Sequence, residues 1–386
     1  MSQGIENPNP ATLGQQVLVL QGGGALGAYQ VGVYQALDQF GIDLDWVVGT
    51  SIGAINAAII AGSPRSERMQ RLRAFWKRVE HGHVFDDILP SLLSSPLRNW
   101  LAVSTGIAGF FKPRALAFLS PHITLGPGEA GYYSVTRLKD TLSDLIEFDL
   151  LRTGSTRLTV GAANVETSEM TYFDSRAMAL DIRHVLASGA LPPAFPAVEI
   201  DGHHYWDGGI FSNTPVEVVF DDNPRRNSIV YAVHVWNPEG AAPQTMSEVE
   251  NRRKDVQYSS RSAAHIARQR QLHRLRHVIT QLADLLPVEN RTDPKIRDLA
   301  SYGCRTRMHV VRLLAPRLGH EDYSKDLDFS PSGIRQRWEA GYAHTMRVLE
   351  SAPWRGEFDP LEGFVLHEAM GGESRGAELI LSPTAL

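Results

Sequence analysis

Two glycine-rich turns, each placed between a short apolar strand and a helix, constrain the fold more than any other feature of this sequence. The first apolar run, residues 16–20 (QVLVL), ends at QGGG and is followed by a helical pattern that stops near Gly41. The second, residues 46–48 (WVV), ends at GTS and is followed by the apolar segment 52–61. Strand, helix, strand and helix at these lengths predict a parallel sheet with helices on its faces. We therefore expect an α/β fold.

Later segments extend this pattern. The residue types predict strands at 158–163, 170–173 and 228–235, and an amphipathic helix at 66–79. The segment 84–131 is apolar but is interrupted by prolines and glycines. Periodicity does not decide whether that segment is a cap region or irregular core packing.

Composition sets broad limits on the class of protein. The chain has 386 residues, of which 43% are hydrophobic and 21% charged, as in a globular protein with a sizeable core. A net charge of −5 implies no general attraction to nucleic acid. The N-terminus lacks the pattern of a signal peptide, and a single cysteine, Cys304, allows no intramolecular disulfide. A cytoplasmic location is the default expectation, and no His, Cys, Asp and Glu spacing predicts a metal site.

The strongest single motif is GTSIG, residues 49–53, because it is placed where a strand turns into a helix. Gly49 and Gly53 would tolerate a strained turn that exposes the hydroxyl of Ser51. The N-terminus of the following helix favours developing negative charge. The motif thus predicts a nucleophilic serine, and the alternative is a glycine-rich turn whose serine only caps the helix.

The turn GGGALG, residues 22–27, allows more than one interpretation. It matches the G-x-G-x-x-G pattern of dinucleotide sites, and Asp43 and Asp45 follow it in the sequence. Both aspartates precede the second strand, however, whereas a ribose-binding acid belongs at its end, where Ser51 stands instead. We interpret the turn as an oxyanion hole built from backbone N–H groups, with a purely structural turn as the alternative. The residues assigned to it are Gly22, Gly23, Gly24, Ala25 and Gly27.

A nucleophilic serine needs a base, and Asp207 is the best candidate. It precedes Gly208 and Gly209 where a predicted strand meets a loop, so its carboxylate is placed to accept the Ser51 proton directly. Asp-Gly is also a common turn, which is the alternative. A conventional hydrolase would supply an acid and then a histidine after the serine. No motif demands any of the downstream histidines, which are His184, His234, His309 and His344.

Together these motifs resemble those of the patatin-like lipid acyl hydrolase family, over about residues 16–236. GGGALG resembles the family's oxyanion loop, GTSIG its nucleophile elbow and DGG its D-G-[AG] motif. The segments 187–196 and 213–215 also match the family. The resemblance implies a three-layer sandwich with a mainly parallel central sheet, and a Ser51–Asp207 dyad without histidine, metal or cofactor. It also implies hydrolysis of acyl esters of phospholipids, galactolipids or neutral glycerides.

One position departs from the family pattern, since Leu26 stands where the family often has Lys or Arg. The absence of that cation weakens the case for phospholipid in particular but does not affect the backbone donors. Two alternatives remain at this point. The first is a hydrolase of another ester or a thioester, such as a storage polyester or an acyl-thioester. The second is an inactive lipid-binding protein of the same fold.

The resemblance divides the chain into a disordered N-terminus at 1–15, a patatin-like catalytic domain at 16–236 and a largely helical C-terminal extension of unknown role at 237–386. Within the extension, Arg252 to Leu286 is predicted to be a basic amphipathic helix. Its cations are at positions 252, 253, 254, 261, 268, 270, 274 and 276, and its apolar stripe is Leu275, Val278, Ile279, Leu282 and Leu285. Such a helix is a candidate for peripheral membrane contact, although packing on its own domain is commoner. The oligomeric state is not predicted.

Overall fold

The computed structural model describes residues 13–80, 109–120, 122–319, 321–359 and 361–368. Residues 1–12 of the predicted disordered N-terminus and residues 84–108 of the predicted cap region lie outside the described residues. Gln15, which we placed in that N-terminus, already belongs to the first strand.

The first eighty residues form the predicted elements. These are β1 (Gln15–Leu20), α1 (Ala28–Gln39), β2 (Trp46–Thr50), α2 (Ile52–Ala61) and α3 (Arg68–Val79). The later strands are β3 (Lys112–Pro113), β4 (Tyr133–Ser134), β5 (Arg157–Asn164), β6 (Met170–Asp174), β7 (Val198–Ile200), β8 (His203–Asp207), β9 (Ser228–His234), β10 (Met308–Leu314) and β11 (Phe364–Glu368). The later helices are α4 (Ala115–Leu119), α5 (Thr136–Leu145), α6 (Phe148–Thr153), α7 (Ile182–Ser188), α8 (Glu217–Phe220), α9 (Met246–Leu285), α10 (Pro294–Ser301) and α11 (Pro331–Ser351).

Nine strands form one mixed sheet in the order β11-β10-β9-β1-β2-β5-β8-β7, with β6 also paired to β5. All neighbours from β11 to β5 are parallel, whereas β6, β7 and β8 pair in antiparallel fashion. Strands β3 and β4 form a separate two-stranded ribbon. The mainly parallel sheet confirms the predicted α/β fold class.

Both faces of the sheet are covered, as a parallel sheet requires. Side chains alternate along β1, so that Leu18 and Leu20 enter one core while Val17 and Val19 enter the other. The first core includes residues of α1, α2, α3 and α11, and the second includes Val219 of α8 and Ile266 of α9. The result is the predicted three-layer sandwich.

The region after residue 236 is mainly helical, as expected, and it also extends the sheet. Strand β10 pairs with β9 from Met308 opposite Ser228, and β11 adds beyond β10. Helix α11 packs against α1, where the Trp338 indole N–H donates a 2.6 Å hydrogen bond to Gln35. The predicted boundary at residue 236 therefore falls within one continuous sheet. None of the described helices is both long and apolar enough to cross a membrane.

Candidate active site

The sheet brings Ser51 and Asp207 together because β2 and β8 follow one another along the same edge of β5. Thr50, the last residue of β2, lies opposite Gly161, and Asp207 lies opposite the next residue, Ala162. Strand β6 occupies the other edge of β5 over the same residues. Strand β8 therefore pairs with β5 next to the point where β2 stops pairing. This places the Asp207 carboxylate, at the end of β8, beside Ser51.

Ser51 lies in a strained turn between β2 and α2. Its φ of 57° and ψ of −127° are values that residues other than glycine rarely adopt. Its N–H donates to the carbonyl and hydroxyl oxygens of Ser188, both at 3.1 Å. A Cβ on Gly49 would lie 2.3 Å from the Gly53 carbonyl oxygen, and one on Gly53 would lie 2.3 Å from that of Leu20. The turn therefore requires both glycines of the motif.

Asp207 is almost completely buried, with 2% of its surface exposed. Its Oδ1 accepts a 2.7 Å hydrogen bond from the Gly209 N–H, within the short 3₁₀ turn that Gly208 begins. Burial raises the pKa of Asp207 to about 6, although hydrogen bonds from the Ser51 hydroxyl and from Gly209 favour the ionised form. At neutral pH the carboxylate is therefore ionised, next to the serine hydroxyl.

The glycine loop lies against the serine, since a Cβ on Gly22 would stand 2.9 Å from the Ser51 Cβ. The Gly22 N–H donates to the Asn213 carbonyl oxygen at 3.1 Å, so this amide is already occupied. The Gly22 carbonyl accepts from Asn213 Nδ2 at 3.1 Å and from Trp236 Nε1 at 2.8 Å. Because the C=O and N–H of a trans peptide point in opposite directions, the N–H of Gly23 points away from these two donors.

The residues of the predicted oxyanion loop fall into two groups. Gly22, Gly23 and Gly24 line the same cavity as Ser51. Ala25 and Gly27 lie in the buried 3₁₀ turn that follows, and neither lines the cavity. Gly23 and Gly24 are thus the residues of this loop that are best placed to donate to a ligand in the cavity.

Gln21 holds the loop from behind and was not singled out from the sequence. Its Oε1 accepts from the N–H groups of Val235 and Trp236 at 2.6 and 3.0 Å. Its Nε2 donates to the Thr214 hydroxyl at 2.7 Å. A buried glutamine at the end of an apolar strand is an available signal, but its partners lie some two hundred residues away in the sequence. From the sequence, Asn213 and Thr214 belong only to the segment 213–215 that matches the family.

A mainly apolar cavity of about 280 Å³ adjoins Ser51 and Asp207. Four phenylalanines contribute to its wall, with ring centroids 5.7 Å apart for Phe110 and Phe329, and 5.8 Å apart for Phe111 and Phe195. The polar side chains at its wall include those of the Ser51–Asp207 pair, Asn213, Tyr258 and Asp326. The cavity therefore suits an apolar ligand that presents one polar group to the Ser51–Asp207 pair.

Among the lining residues that the structure describes there is no histidine. The four histidines considered above lie elsewhere: His184 caps α7, His234 ends β9, His309 lies in β10 and His344 in α11. No group of three His, Cys, Asp or Glu side chains suited to a metal ion is found in the described part of the chain.

The C-terminal region forms part of the cavity wall, which the sequence did not predict. Tyr258 of α9 and the turn at 326–329 line the cavity. Gly24 has a φ of +56°, and a Cβ there would lie 2.3 Å from the Asp326 carbonyl oxygen. The glycine loop and this turn are therefore in close contact. Lys325 anchors the turn through a buried 2.6 Å ion pair with Asp255 of α9.

Two family models match this chain. A family model described as patatin-like phospholipase matches residues 18–220, and a second, described as patatin phospholipase, matches residues 256–361. Patatin-like phospholipase domain-containing protein 7 of Rattus norvegicus is 30% identical over 204 residues, which are 52% of this chain and 12% of that protein. Lysophospholipase nte1 of Aspergillus terreus is 59% identical over 44 residues, which are 11% of this chain and 3% of that protein.

The chain thus spans only about an eighth of the length of the rat relative. Among solved structures, VipD from Legionella pneumophila aligns with a TM-score of 0.37 and 17% identity, over 88% of this chain and 67% of that one. The first family model alone covers more than half of the sequence. The chain belongs to the patatin-like phospholipase family.

Proposed function

We propose that this protein hydrolyses carboxylic esters of acyl lipids, with Ser51 as nucleophile and Asp207 as its base. The observation that carries the proposal is the adjacent Ser51–Asp207 pair, which lies beside the glycine loop at the wall of an apolar cavity. A serine hydroxyl is a weak nucleophile unless a neighbouring group removes its proton. The buried carboxylate of Asp207 supplies that group.

In the first half of the reaction the Ser51 oxygen attacks the ester carbonyl carbon while its proton passes to Asp207. The carbonyl oxygen becomes an oxyanion, which accepts hydrogen bonds from the N–H groups of Gly23 and Gly24. Each such donor is worth about 3–4 kcal/mol of barrier when it is already in place. The ester C–O bond then breaks, and the proton on Asp207 passes to the leaving alkoxide. The alcohol leaves, and the acyl group stays on Ser51.

In the second half a water molecule attacks the acyl-enzyme, and its proton passes to Asp207. The tetrahedral intermediate again places its oxyanion at the glycine loop. Its collapse breaks the bond between the acyl carbon and the Ser51 oxygen, which takes back a proton from Asp207. The products are one carboxylic acid and one alcohol for each ester and water consumed, so the balance needs no oxidant or reductant.

The apolar wall and the family together favour a long acyl chain as the part of the substrate that enters the cavity. One relative is named a lysophospholipase, which makes a lysophospholipid the first lipid to test. A thioester would react by the same steps. A panel of phospholipid, lysophospholipid, neutral glyceride and acyl-thioester of equal chain length therefore defines the preferred class.

The mechanism is tested by substituting the nucleophile. Ser51→Ala is expected to retain less than about one hundredth of wild-type ester turnover, because no acyl-enzyme can form. A fluorophosphonate probe should add one equivalent of label to the wild type, at Ser51, and none to the variant, as read by intact-protein mass spectrometry. Ser66→Ala, at an exposed position, serves as the matched control and should behave as wild type. Normal turnover by a folded Ser51→Ala protein would disprove the mechanism.

A further inference from the structure

Helix α4 is apolar along its whole length, yet it buries no residue. Its sequence is ALAFL, and the exposed fractions of Leu116, Phe118 and Leu119 are 60%, 56% and 73%. Ile123, a few residues later, is 40% exposed. Single exposed apolar residues are normal, but a cluster of large ones marks a surface that meets another apolar phase.

This cluster adjoins the catalytic cavity. The Phe118 ring lies 4.9 Å from that of Tyr132 and 6.0 Å from that of Tyr133, between centroids, and Tyr133 lines the cavity. The ribbon β3–β4 joins the two ends of the loop that carries α4. There the Tyr133 N–H donates a 2.8 Å hydrogen bond to the carbonyl oxygen of Ala194, another residue of the cavity wall. The exposed side of α4 is therefore fixed relative to the cavity.

The surroundings of α4 carry positive charge, although the chain as a whole has a net charge of −5. An open depression beside the helix is lined by Lys112, Arg114 and Arg137, and Glu129 is the only carboxylate among its described lining residues. Glu129 forms an ion pair with Arg114. Lys112 and Arg137 are exposed and have no acidic partner among the described residues. Cations at the rim of an apolar surface complement the anionic headgroups of a lipid bilayer.

We propose that Lys112, Leu116, Phe118, Leu119 and Arg137 form a docking surface, the α4 surface, through which the protein binds anionic membranes. The apolar side chains enter the boundary between headgroups and acyl chains, and the two cations contact the headgroups. This inference rests on the proposed function, because it explains how a lipid substrate reaches the cavity. It places the cavity wall at Tyr133 next to the lipid.

The basic helix α9, which the sequence made a candidate for membrane contact, is the alternative surface. Several of its cations have partners within the protein. Arg252 donates to two backbone carbonyl groups, Lys254 pairs with Asp326, and Arg270 pairs with Glu362. Helix α9 therefore offers fewer unpaired cations than its sequence suggests.

The exposed leucines of α9 also lie far from the cavity. Leu282 and Leu285 are 59% and 81% exposed, near the C-terminal end of the helix. Tyr258 is the residue of the same helix that lines the cavity. At 1.5 Å per residue, Leu282 lies about 36 Å from Tyr258 along the helix axis. Docking through this end would leave the cavity distant from the lipid.

The test is sedimentation with vesicles of phosphatidylglycerol or of phosphatidylcholine, in a Ser51→Ala background so that the lipid stays intact. The parent protein should sediment with phosphatidylglycerol vesicles in preference to phosphatidylcholine vesicles at low salt. Leu116→Ser with Leu119→Ser should lower the association constant by about tenfold or more, because two side chains no longer enter the bilayer. Leu282→Ser with Leu285→Ser is the matched control at equally exposed positions and should leave binding within about twofold.

A second pair of variants tests the charge. Lys112→Gln with Arg137→Gln should weaken binding and reduce its dependence on salt, because fewer cations contact the headgroups. Arg268→Gln with Arg274→Gln makes the same change in charge at exposed positions of α9 and should have little effect. The proposal is overturned if the parent shows no preference for anionic vesicles. It is also overturned if the α9 variants lose binding while the α4 variants keep it.

Turnover separates this proposal from the proposed function. With Ser51 intact, the Leu116→Ser, Leu119→Ser protein should hydrolyse a soluble short-chain ester at the wild-type rate and vesicle lipid more slowly. Equal losses on both substrates would mean that the variant damages the cavity, and would contradict a docking role. If the wild type hydrolyses neither substrate, the proposed function fails, whereas the sedimentation result still decides whether α4 binds lipid.

Discussion

At the scale of single residues, burial favours the neutral form of Asp207, whereas the proposed base must be ionised. Its burial favours the neutral carboxyl and raises its pKa from 3.8 to about 6. The proposed mechanism needs the ionised form, since only a carboxylate can accept the Ser51 proton. A base whose pKa lies within about one unit of the working pH combines the ionised state with a strong driving force for proton transfer. The environment of Asp207 meets this condition near neutral pH.

The pH dependence of turnover should follow the ionisation of Asp207. We expect kcat/KM for a soluble ester to be constant above pH 7 and to fall about tenfold per pH unit below about pH 6, because the protonated carboxyl accepts no proton. The profile is measured under conditions where circular dichroism shows a folded protein. Constant activity from pH 7 down to pH 4.5 would exclude Asp207 as the base.

Asp207→Asn should abolish turnover and yet stabilise the protein at alkaline pH. A carboxyl whose pKa rises on folding destabilises the folded state when it is ionised, and the shift from 3.8 to about 6 corresponds to about 3 kcal/mol at most. This cost is present above pH 6 and disappears below pH 4. The Tm of the variant should therefore exceed that of the wild type at pH 8, and the difference should vanish near pH 4. A variant that is less stable than the wild type at pH 8 would contradict the environment described for Asp207.

At the scale of elements, a buried ion pair joins α9 to the turn that lines the cavity. Lys325 and Asp255 are both almost fully buried and lie 2.6 Å apart. The Lys325 ammonium group also lies 5.3 Å from the centre of the Trp236 ring, whose indole N–H holds the Gly22 carbonyl. These contacts connect the C-terminal region to the glycine loop. The turn at 326–329 depends on them for its position at the cavity wall.

Removing one partner of this ion pair should cost more than removing both. Lys325→Met leaves the buried Asp255 with the more distant Arg317 as its remaining cationic partner in the described part of the chain, and should lower the free energy of unfolding by about 3–5 kcal/mol. The double variant Lys325→Met, Asp255→Leu should recover much of that loss, because no unpaired charge remains buried. Urea unfolding of the two single variants and the double variant measures the coupling.

The exposed pair Lys77–Glu80 provides the control for this experiment. Lys77→Met should change the free energy of unfolding by less than about 1 kcal/mol, as exposed ion pairs usually do. Strictly additive effects of the Lys325 and Asp255 substitutions would show that the two charges do not depend on each other.

The sequence predicted the elements that are defined by local patterns. The bounds of α2 are those expected, and β1 and β2 differ from their expected bounds by only one or two residues, because apolar runs between glycines leave few alternatives. Ser51 and Asp207 were singled out by their motifs. The reason that they meet, the shared edge of β5, was not visible, because strand order depends on pairing between distant residues. The roles of Gln21 and Phe329 were missed for the same reason.

At the scale of the whole molecule, one sheet runs through both the region that matches the first family model and the region that follows it. In the sheet, strand β9 lies between β1 and β10. One edge of β9 therefore pairs with a strand that precedes residue 236 in the sequence, and the other edge pairs with a strand that follows it. Helix α11 covers α1 on one face of that sheet. The fold thus couples Ser51 and Asp207 to the C-terminal region through the sheet, a helix pair and the cavity wall.

A protein truncated after residue 236 should therefore lack stability and activity. The truncation removes β10, β11 and α11, exposes the edge of β9 and uncovers apolar side chains of α1. It also removes Tyr258 and Phe329 from the cavity wall. We expect aggregation in size-exclusion chromatography and no turnover of a short-chain ester. A monodisperse fragment with wild-type turnover would show that the C-terminal region is independent of the site.

The most direct test of the central claim is an analysis of products by mass spectrometry. Phospholipid, lysophospholipid and neutral glyceride are incubated separately with wild-type and Ser51→Ala protein, and free fatty acid and the matching alcohol product are quantified over time. The account predicts that the wild type releases both products in equal amounts from at least one lipid, and that Ser51→Ala releases neither above the rate without protein. Equal release of fatty acid by the two proteins, or none by the wild type from any of the lipids, would contradict it.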